Sequence, residues 1–188
     1  MSPSEIIKIL KSGGIGVLPT DTIYGLVGSA LSKKAIERIY KVRRRNPKKP
    51  FIILIGDLKD LQLFGIRLRK SEKALVQQIW PGPVSVILSC PLKKFFYLHR
   101  GTKTLAFRLP AKNSLRRFLK RTGPLVVPSA NPEGLPVAKT IREAKKYFGD
   151  RVDFYLDAGR LDSRPSTLLS LKNGKIKVIR AGTVKIYG

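Results

Sequence analysis

The sequence predicts an α/β fold: a single domain in which one twisted, mixed β-sheet is flanked by helices. Three observations carry that expectation. Short apolar runs, among them Ile15-Gly16-Val17-Leu18, Phe51-Ile52-Ile53-Leu54-Ile55 and Leu125-Val126-Val127, alternate with amphipathic stretches at helical spacing, the pattern of strands covered by helices. Two runs near the C-terminus flank Asn173-Gly174, a pair suited to the positive φ angles of a tight hairpin, and a hairpin makes the sheet mixed. The 188 residues, 43% of them hydrophobic, suffice for one well-buried core and favour one domain.

The elements follow in order. Ser4 to Lys11 starts with a cap-like serine and has helical spacing, and Gly13-Gly14 stops it before the strand at Ile15. That strand empties into the polar turn Pro19-Thr20-Asp21-Thr22-Ile23-Tyr24-Gly25-Leu26. Ser32 precedes a second helix, Lys33 to Val42, with Ala35, Ile36, Ile39, Tyr40 and Val42 on its apolar face. Pro47 and Pro50 bound its exit, and a residue before proline is pushed out of helical dihedrals, so Asn46 should be extended. Phe51 to Ile55 is apolar throughout, as a strand covered on both faces should be. Glu72 to Trp80 reads as a helix ending at Pro81-Gly82-Pro83, followed by a strand, Val84 to Leu88. A further strand, Leu105 to Leu109, stops at Pro110. Ser114 to Thr122 is a basic helix before the strand at Leu125, and Thr140 to Phe148 another before Phe154 to Asp157. Ser166 to Leu171 and Lys175 to Arg180 form the terminal hairpin. Repeats, low-complexity tracts and linkers are absent from the sequence.

The lone Cys90 rules out an intramolecular disulfide framework and points to a reducing compartment, the cytoplasm; no Cys/His cluster suits zinc. Met1 to Glu5 lacks the basic, then apolar, start of a signal peptide, and no apolar segment reaches the roughly 18 residues of a membrane span. A soluble protein with no membrane partner is expected. The charge is unusual: 38 Lys and Arg against 12 Asp and Glu leave +26. Such a field attracts polyanions, nucleic acid included, although a general bias toward lysine produces the same surplus.

Two polar turns at strand ends, Pro19 to Leu26 and Pro128-Ser129-Ala130-Asn131-Pro132, enclose in sequence the basic stretch Lys41 to Pro50. Strand ends in open α/β sheets face ligands, so these segments suggest a pocket for an anionic, hydroxyl-rich small molecule. If the chain is extended near Pro47, Arg43 and Arg45 point to one face and Arg44 away; the alternative is a solvated basic helix end. Arg108 lies inside an apolar strand, where an unpaired charge is costly, so a carboxylate or phosphate partner is expected. Thr22, Ser129 and Asn131 also suit plain turn roles, and Asp21 suits either the substrate face or a structural turn. His99 is expected exposed in a basic loop, Cys90 without chemical role, and Trp80 as a core anchor. The acidic residues offer no carboxylate pair spaced for a protein-held metal.

The ordered set Pro19 to Leu26, the basic stretch before Lys49-Pro50-Phe51, Trp80-Pro81-Gly82-Pro83, Ala106-Phe107-Arg108-Leu109-Pro110, Pro128-Ser129-Ala130-Asn131, Pro165-Ser166-Thr167 and Ile179-Arg180-Ala181-Gly182 resembles the threonylcarbamoyl-AMP synthase family, also called YrdC-like. Each motif alone is weak; the whole series in order covers nearly the full chain. The resemblance implies synthesis of threonylcarbamoyl-adenylate from L-threonine, bicarbonate and ATP, with release of pyrophosphate, for a modified adenosine beside the tRNA anticodon. Carried over by residue, it implies Thr22, Arg108 and Ser166 at L-threonine, and Arg45, Lys49, Thr104, Ser129, Asn131 and Arg180 at ATP. Arg43 and Arg45 would be the catalytic pair, no metal is held by the protein, and Mg2+ enters on the triphosphate. It also implies tRNA and downstream threonylcarbamoyl-transferase proteins as partners.

Two positions depart from the family pattern. Where members usually carry Lys-x-Arg this chain has Arg43-Arg44-Arg45, so a planar fork replaces a point charge at Arg43. Leu54 stands where some members carry histidine. The chain ends eight residues after Arg180, which matches the short form. The chemistry needs no protein nucleophile: nucleotidyl transfer depends on positioning and charge neutralisation, which suits a site with arginines and hydroxyls. Because carbamates decompose in water, Pro132 to Pro136 or Asp162 to Pro165 are candidates to close over the site. Two other readings compete: a non-catalytic RNA-binding module, which lacks base-stacking aromatic strands here, and a carbamoyl-transfer enzyme of hydrogenase maturation, whose zinc-finger cysteines this chain does not have.

Overall fold

The computed structural model describes residues 1–46, 49–172 and 175–185. Its strands, in chain order, are β1 (Ile15–Pro19), β2 (Tyr24–Ser29), β3 (Ile52–Leu54), β4 (Val84–Ser89), β5 (Thr104–Arg108), β6 (Leu125–Val126), β7 (Phe154–Tyr155), β8 (Thr167–Lys172) and β9 (Lys175–Arg180). They join in one nine-stranded sheet ordered β7-β1-β2-β6-β3-β5-β4-β8-β9. The β1/β7, β3/β5 and β4/β8 pairs are parallel and the others antiparallel. The expected α/β architecture with a mixed sheet flanked by helices is therefore present. The Asn173-Gly174 turn lies outside the described residues.

The helices are α1 (Pro3–Lys11), α2 (Lys33–Arg43), α3 (Lys70–Ile79), α4 (Phe96–His99), α5 (Asn113–Thr122) and α6 (Ile141–Phe148). A side-chain N-cap starts three of these six, α1, α2 and α6. Ser32 and Thr140 cap α2 and α6 by accepting the backbone N–H of Ala35 and Glu143. The cap of α1 is Ser2, not Ser4. Ser2 and Glu5 form a reciprocal capping box, and Pro3 fits the first turn, where its missing N–H costs no bond. No helix among the described residues is long and apolar enough to cross a membrane.

Alternating side chains divide the core between the two sheet faces. Ile15, Val17, Tyr24, Leu26, Ile53 and Phe107 pack under α2, α3, α4 and α6. On the other face Leu18, Val27, Leu54 and Phe154 pack under α1 and α5, through Ile6, Leu10, Leu115 and Leu119. Trp80 is buried and donates from Nε1 to the Val84 carbonyl at 2.6 Å, anchoring the turn before β4. His99 corrects the sequence reading: it is buried, accepting at Nδ1 from the Gly101 N–H. Its basic neighbours had suggested an exposed loop, yet α4 turns Leu98 and His99 inward. Burial pushes the Cys90 thiol up, which keeps it an unreactive core side chain.

Candidate active site

Turns between strands build the cavity on the sheet face. In the β1–β2 turn, Thr20 Oγ1 accepts the N–H groups of Thr22 and Ile23 at 3.1 and 3.2 Å and donates to the Ile23 carbonyl. That clamps Thr22 in place. The cavity, about 170 Å³, is lined by Thr22, Arg43, Arg45, Arg108, Ser129, Ser166 and Arg180, with Gly25, Ile52 and Leu168 supplied from the strands and Val127 from just past β6. It therefore sits on the sheet face rather than wholly beyond a row of strand ends. Larger hollows of about 610 and 380 Å³ gather fewer polar groups on a more apolar lining.

Arg43 and Arg45 converge by a different route from the extended chain expected. Helix α2 runs through Arg43, and Arg44 ends it in the left-handed region at φ 49°. This reversal sends Arg44 outward while Arg43 and Arg45 both line the cavity. Arg43 is buried and donates from Nε to the Asn131 carbonyl at 2.7 Å, and from Nη2 to Asn131 Oδ1 at 3.2 Å and Ser129 Oγ at 3.3 Å. The fork at this position thus organises the 129–131 turn. Arg45 donates to the Lys49 and Pro50 carbonyls, both at 3.2 Å, and lies over the Phe51 ring at 5.2 Å.

Arg108 ends β5 with Nη2 3.0 Å from Asp21 Oδ1 and Nη1 donating to Thr22 Oγ1 at 3.3 Å. Asp21 is absent from the cavity lining, so its carboxylate braces Arg108 from behind. The open question about Asp21 is answered by geometry: it is the internal carboxylate that the buried arginine required. Arg108 Nε is buried with no hydrogen-bond partner among the described residues. Ser166 Oγ lies 3.0 Å from Ser85 Oγ, a residue the sequence did not flag, and Arg180 Nη2 donates to the Ser166 carbonyl at 2.9 Å.

The remaining sequence candidates lie outside the cavity lining. Asn131 is buried and spends its amide on the Pro132 and Leu135 carbonyls at 2.9 and 2.6 Å. Lys49 is exposed and paired with Glu133 at 2.7 Å. Thr104 is four residues before Arg108 on the same face of β5, about 13 Å along the strand, beside Thr102.

Burial lowers all four guanidiniums, and neighbouring arginines add to the effect at three of them. Burial first, then Arg45, brings Arg43 down to about 10. Burial likewise lowers Arg45, Arg108 and Arg180, with Arg180 adding to the effect at Arg108 and Arg45 adding at Arg180. All remain charged at neutral pH, and an anion among them would relieve both repulsion and the cost of burial.

The Ser166 segment depends on Gly182, where a Cβ would collide with Pro165 O and the Ser166–Thr167 peptide. Gly182→Ala should cost about 1–3 kcal/mol through overpacking. That corresponds to a melting temperature lower by roughly 2–10 °C at this chain length. An unchanged thermal melt would refute this packing role.

A family model labelled Sua5/YciO/YrdC, and described as telomere recombination, matches residues 8–182. The threonylcarbamoyl-AMP synthase of Hahella chejuensis is 30% identical over 176 residues, covering 92% of this chain and 95% of that protein. The solved structure of Pyrococcus abyssi Sua5 complexed with L-threonine superposes with a TM-score of 0.86 at 25% identity. The match covers 96% of this chain but 54% of that one, so this chain spans about half the archaeal protein. Escherichia coli YciO matches with a TM-score of 0.85 at 25% identity, over 97% of this chain and 90% of that one.

Proposed function

Because this chain belongs to the Sua5/YciO/YrdC family, we propose that it is a threonylcarbamoyl-AMP synthase acting on L-threonine, bicarbonate and ATP. The observation that carries this reading is the cluster of Arg43, Arg45, Arg108 and Arg180 around one cavity whose other polar walls are the hydroxyls of Thr22, Ser129 and Ser166. Arg108, braced by Asp21 and lining the cavity, would direct its guanidinium charge at the threonine carboxylate, with Thr22 and Ser166 beside it. The threonine amine adds to the carbon of bicarbonate-derived carbon dioxide and loses a proton, giving a carbamate. A carbamate oxygen attacks the α-phosphorus of ATP; the bond to the bridging oxygen breaks, and pyrophosphate leaves with that electron pair. Arg45 and Arg180 neutralise the phosphate charge that develops, and Arg43 holds Ser129 and Asn131 in place.

A cavity of about 170 Å³ is smaller than the roughly 300–1,000 Å³ that drug-sized ligands fill. Threonine and the phosphates would occupy it, with the nucleoside lying along the sheet face toward Thr104. Mg2+ would arrive on the triphosphate as part of the substrate, because hard divalent cations favour phosphate oxygens. The single buried cysteine fits a reducing cytoplasm. The decisive assay supplies ATP, threonine and bicarbonate and follows pyrophosphate and the adenylate. Strict dependence on all three is expected; pyrophosphate release without threonine would overturn the reading.

The +26 charge and the family role suggest tRNA and downstream threonylcarbamoyl-transferase proteins as partners. If tRNA binds, its affinity should fall steeply with salt, by a slope near 0.9 per duplex phosphate neutralised, while adenylate synthesis changes much less. Absence of tRNA binding at low salt would make the surplus charge a compositional bias.

A further inference from the structure

Glu133 drew no attention in the sequence, yet it clasps the basic loop at several points. Its N–H donates to the Arg43 carbonyl at 2.8 Å. Oε2 accepts the Asn46 N–H and Oε1 accepts Lys49 Nζ, each at 2.7 Å. It follows Asn131 by two positions, so one short segment holds Arg43 through Asn131, and Asn46 and Lys49 through Glu133. Lys49 first, then the Asn46 N–H, holds the Glu133 carboxyl down at about 2, so it is ionised at every physiological pH. The same carboxylate that orders the loop therefore occupies Lys49 as a phosphate would.

We propose that Glu133 is a positioning residue and an internal anionic competitor: it parks Lys49 beside the cavity and yields it to the terminal phosphates of an incoming nucleoside triphosphate. The proposal rests on the reading that ATP enters this cavity. The exchange costs little because the lysine end of the pair is solvated, with 58% of the Lys49 side chain exposed against 27% of Glu133, and ion pairs open to water on one side are weak. One anion replaces another, and the Asn46 N–H stays bound to Glu133. A monophosphate has no β- or γ-phosphate to trade, so Glu133 distinguishes a nucleoside triphosphate from a monophosphate.

The test is calorimetric titration of ATP, and separately AMP, into wild type, Glu133→Gln, Lys49→Ala and the double variant. Glutamine keeps an acceptor for Asn46 and removes the competing charge. Glu133→Gln should bind ATP roughly two- to fivefold more tightly, with AMP affinity unchanged. The gain should vanish in the Lys49→Ala background and shrink at high salt. An unchanged or weaker ATP affinity, an equal gain for AMP, or a gain that survives without Lys49 would each overturn the proposal. Loss of ATP and AMP binding together would mean that Glu133 only holds the loop. A wild type that binds no ATP would instead sink the functional reading itself, and this proposal with it.

Discussion

Arg45→Ala is expected to lower kcat/KM for adenylate formation by about 10²- to 10³-fold, the usual cost of one preorganised electrostatic contact to the reacting group, while thermal unfolding barely changes. Arg45 is fixed before substrate arrives, by the Lys49 and Pro50 carbonyls and by the Phe51 ring. Little reorganisation is then needed as charge develops. Arg44, exposed and turned outward by its left-handed backbone, should cost less than about twofold when replaced, as surface positions usually do. Arg43→Ala separates the two kinds of loss. It strands the buried Asn131 O and Asn131 Oδ1, at about 1–3 kcal/mol for each buried acceptor left unsatisfied, and frees the half-buried Ser129 Oγ, so activity and melting temperature should fall together. Pyrophosphate release and thermal melts on the three variants check this. Equal, mild effects of Arg44→Ala and Arg45→Ala would show that the cavity charge lies elsewhere.

What could be read from the chain follows how local each cause is. Ser32 and Thr140 are legible because a cap is a contact within three residues. The strand β2 is not, because Gly25 and Gly28 interrupt its apolar run and both faces are covered, leaving no alternation; its pairing with β1 defines it. Arg43, Arg45, Arg108, Ser129, Ser166, Arg180 and Thr22 come from separate segments, and ordered motifs pointed to them, but no periodicity says that they meet. Contacts such as Ser85 with Ser166, or Glu133 with Lys49, span more than eighty residues. They leave no local mark. Arg108 is the intermediate case. The cost of an unpaired charge demanded a carboxylate, yet the sequence could not say whether substrate or Asp21 supplied it, and the structure supplies Asp21 first.

That pairing sharpens the expectation for Arg108→Lys. The guanidinium serves Asp21 and Thr22 with its two terminal nitrogens and retains a buried Nε–H without a partner among the described residues. A lysine ammonium keeps the charge but cannot reach along both edges, so it must choose between Asp21 and the ligand. Threonine binding should weaken roughly tenfold to a hundredfold, matching the ~1.5–3 kcal/mol of a charge-assisted hydrogen bond. ATP affinity should stay nearly constant if Arg45 and Arg180 carry its phosphates. Asp21→Asn probes the same pair from behind. It leaves a buried guanidinium uncompensated, with side chains only 5% and 6% exposed in the native pair, and should destabilise the ligand-free protein by about 3–5 kcal/mol. Threonine, bringing its own carboxylate, should then raise the melting temperature of Asp21→Asn more than that of wild type. Separate titrations of threonine and ATP, with melts in saturating threonine, make the comparison. Loss of ATP binding with threonine unaffected would move Arg108 to the nucleotide, and an equal threonine shift in both proteins would deny it the carboxylate.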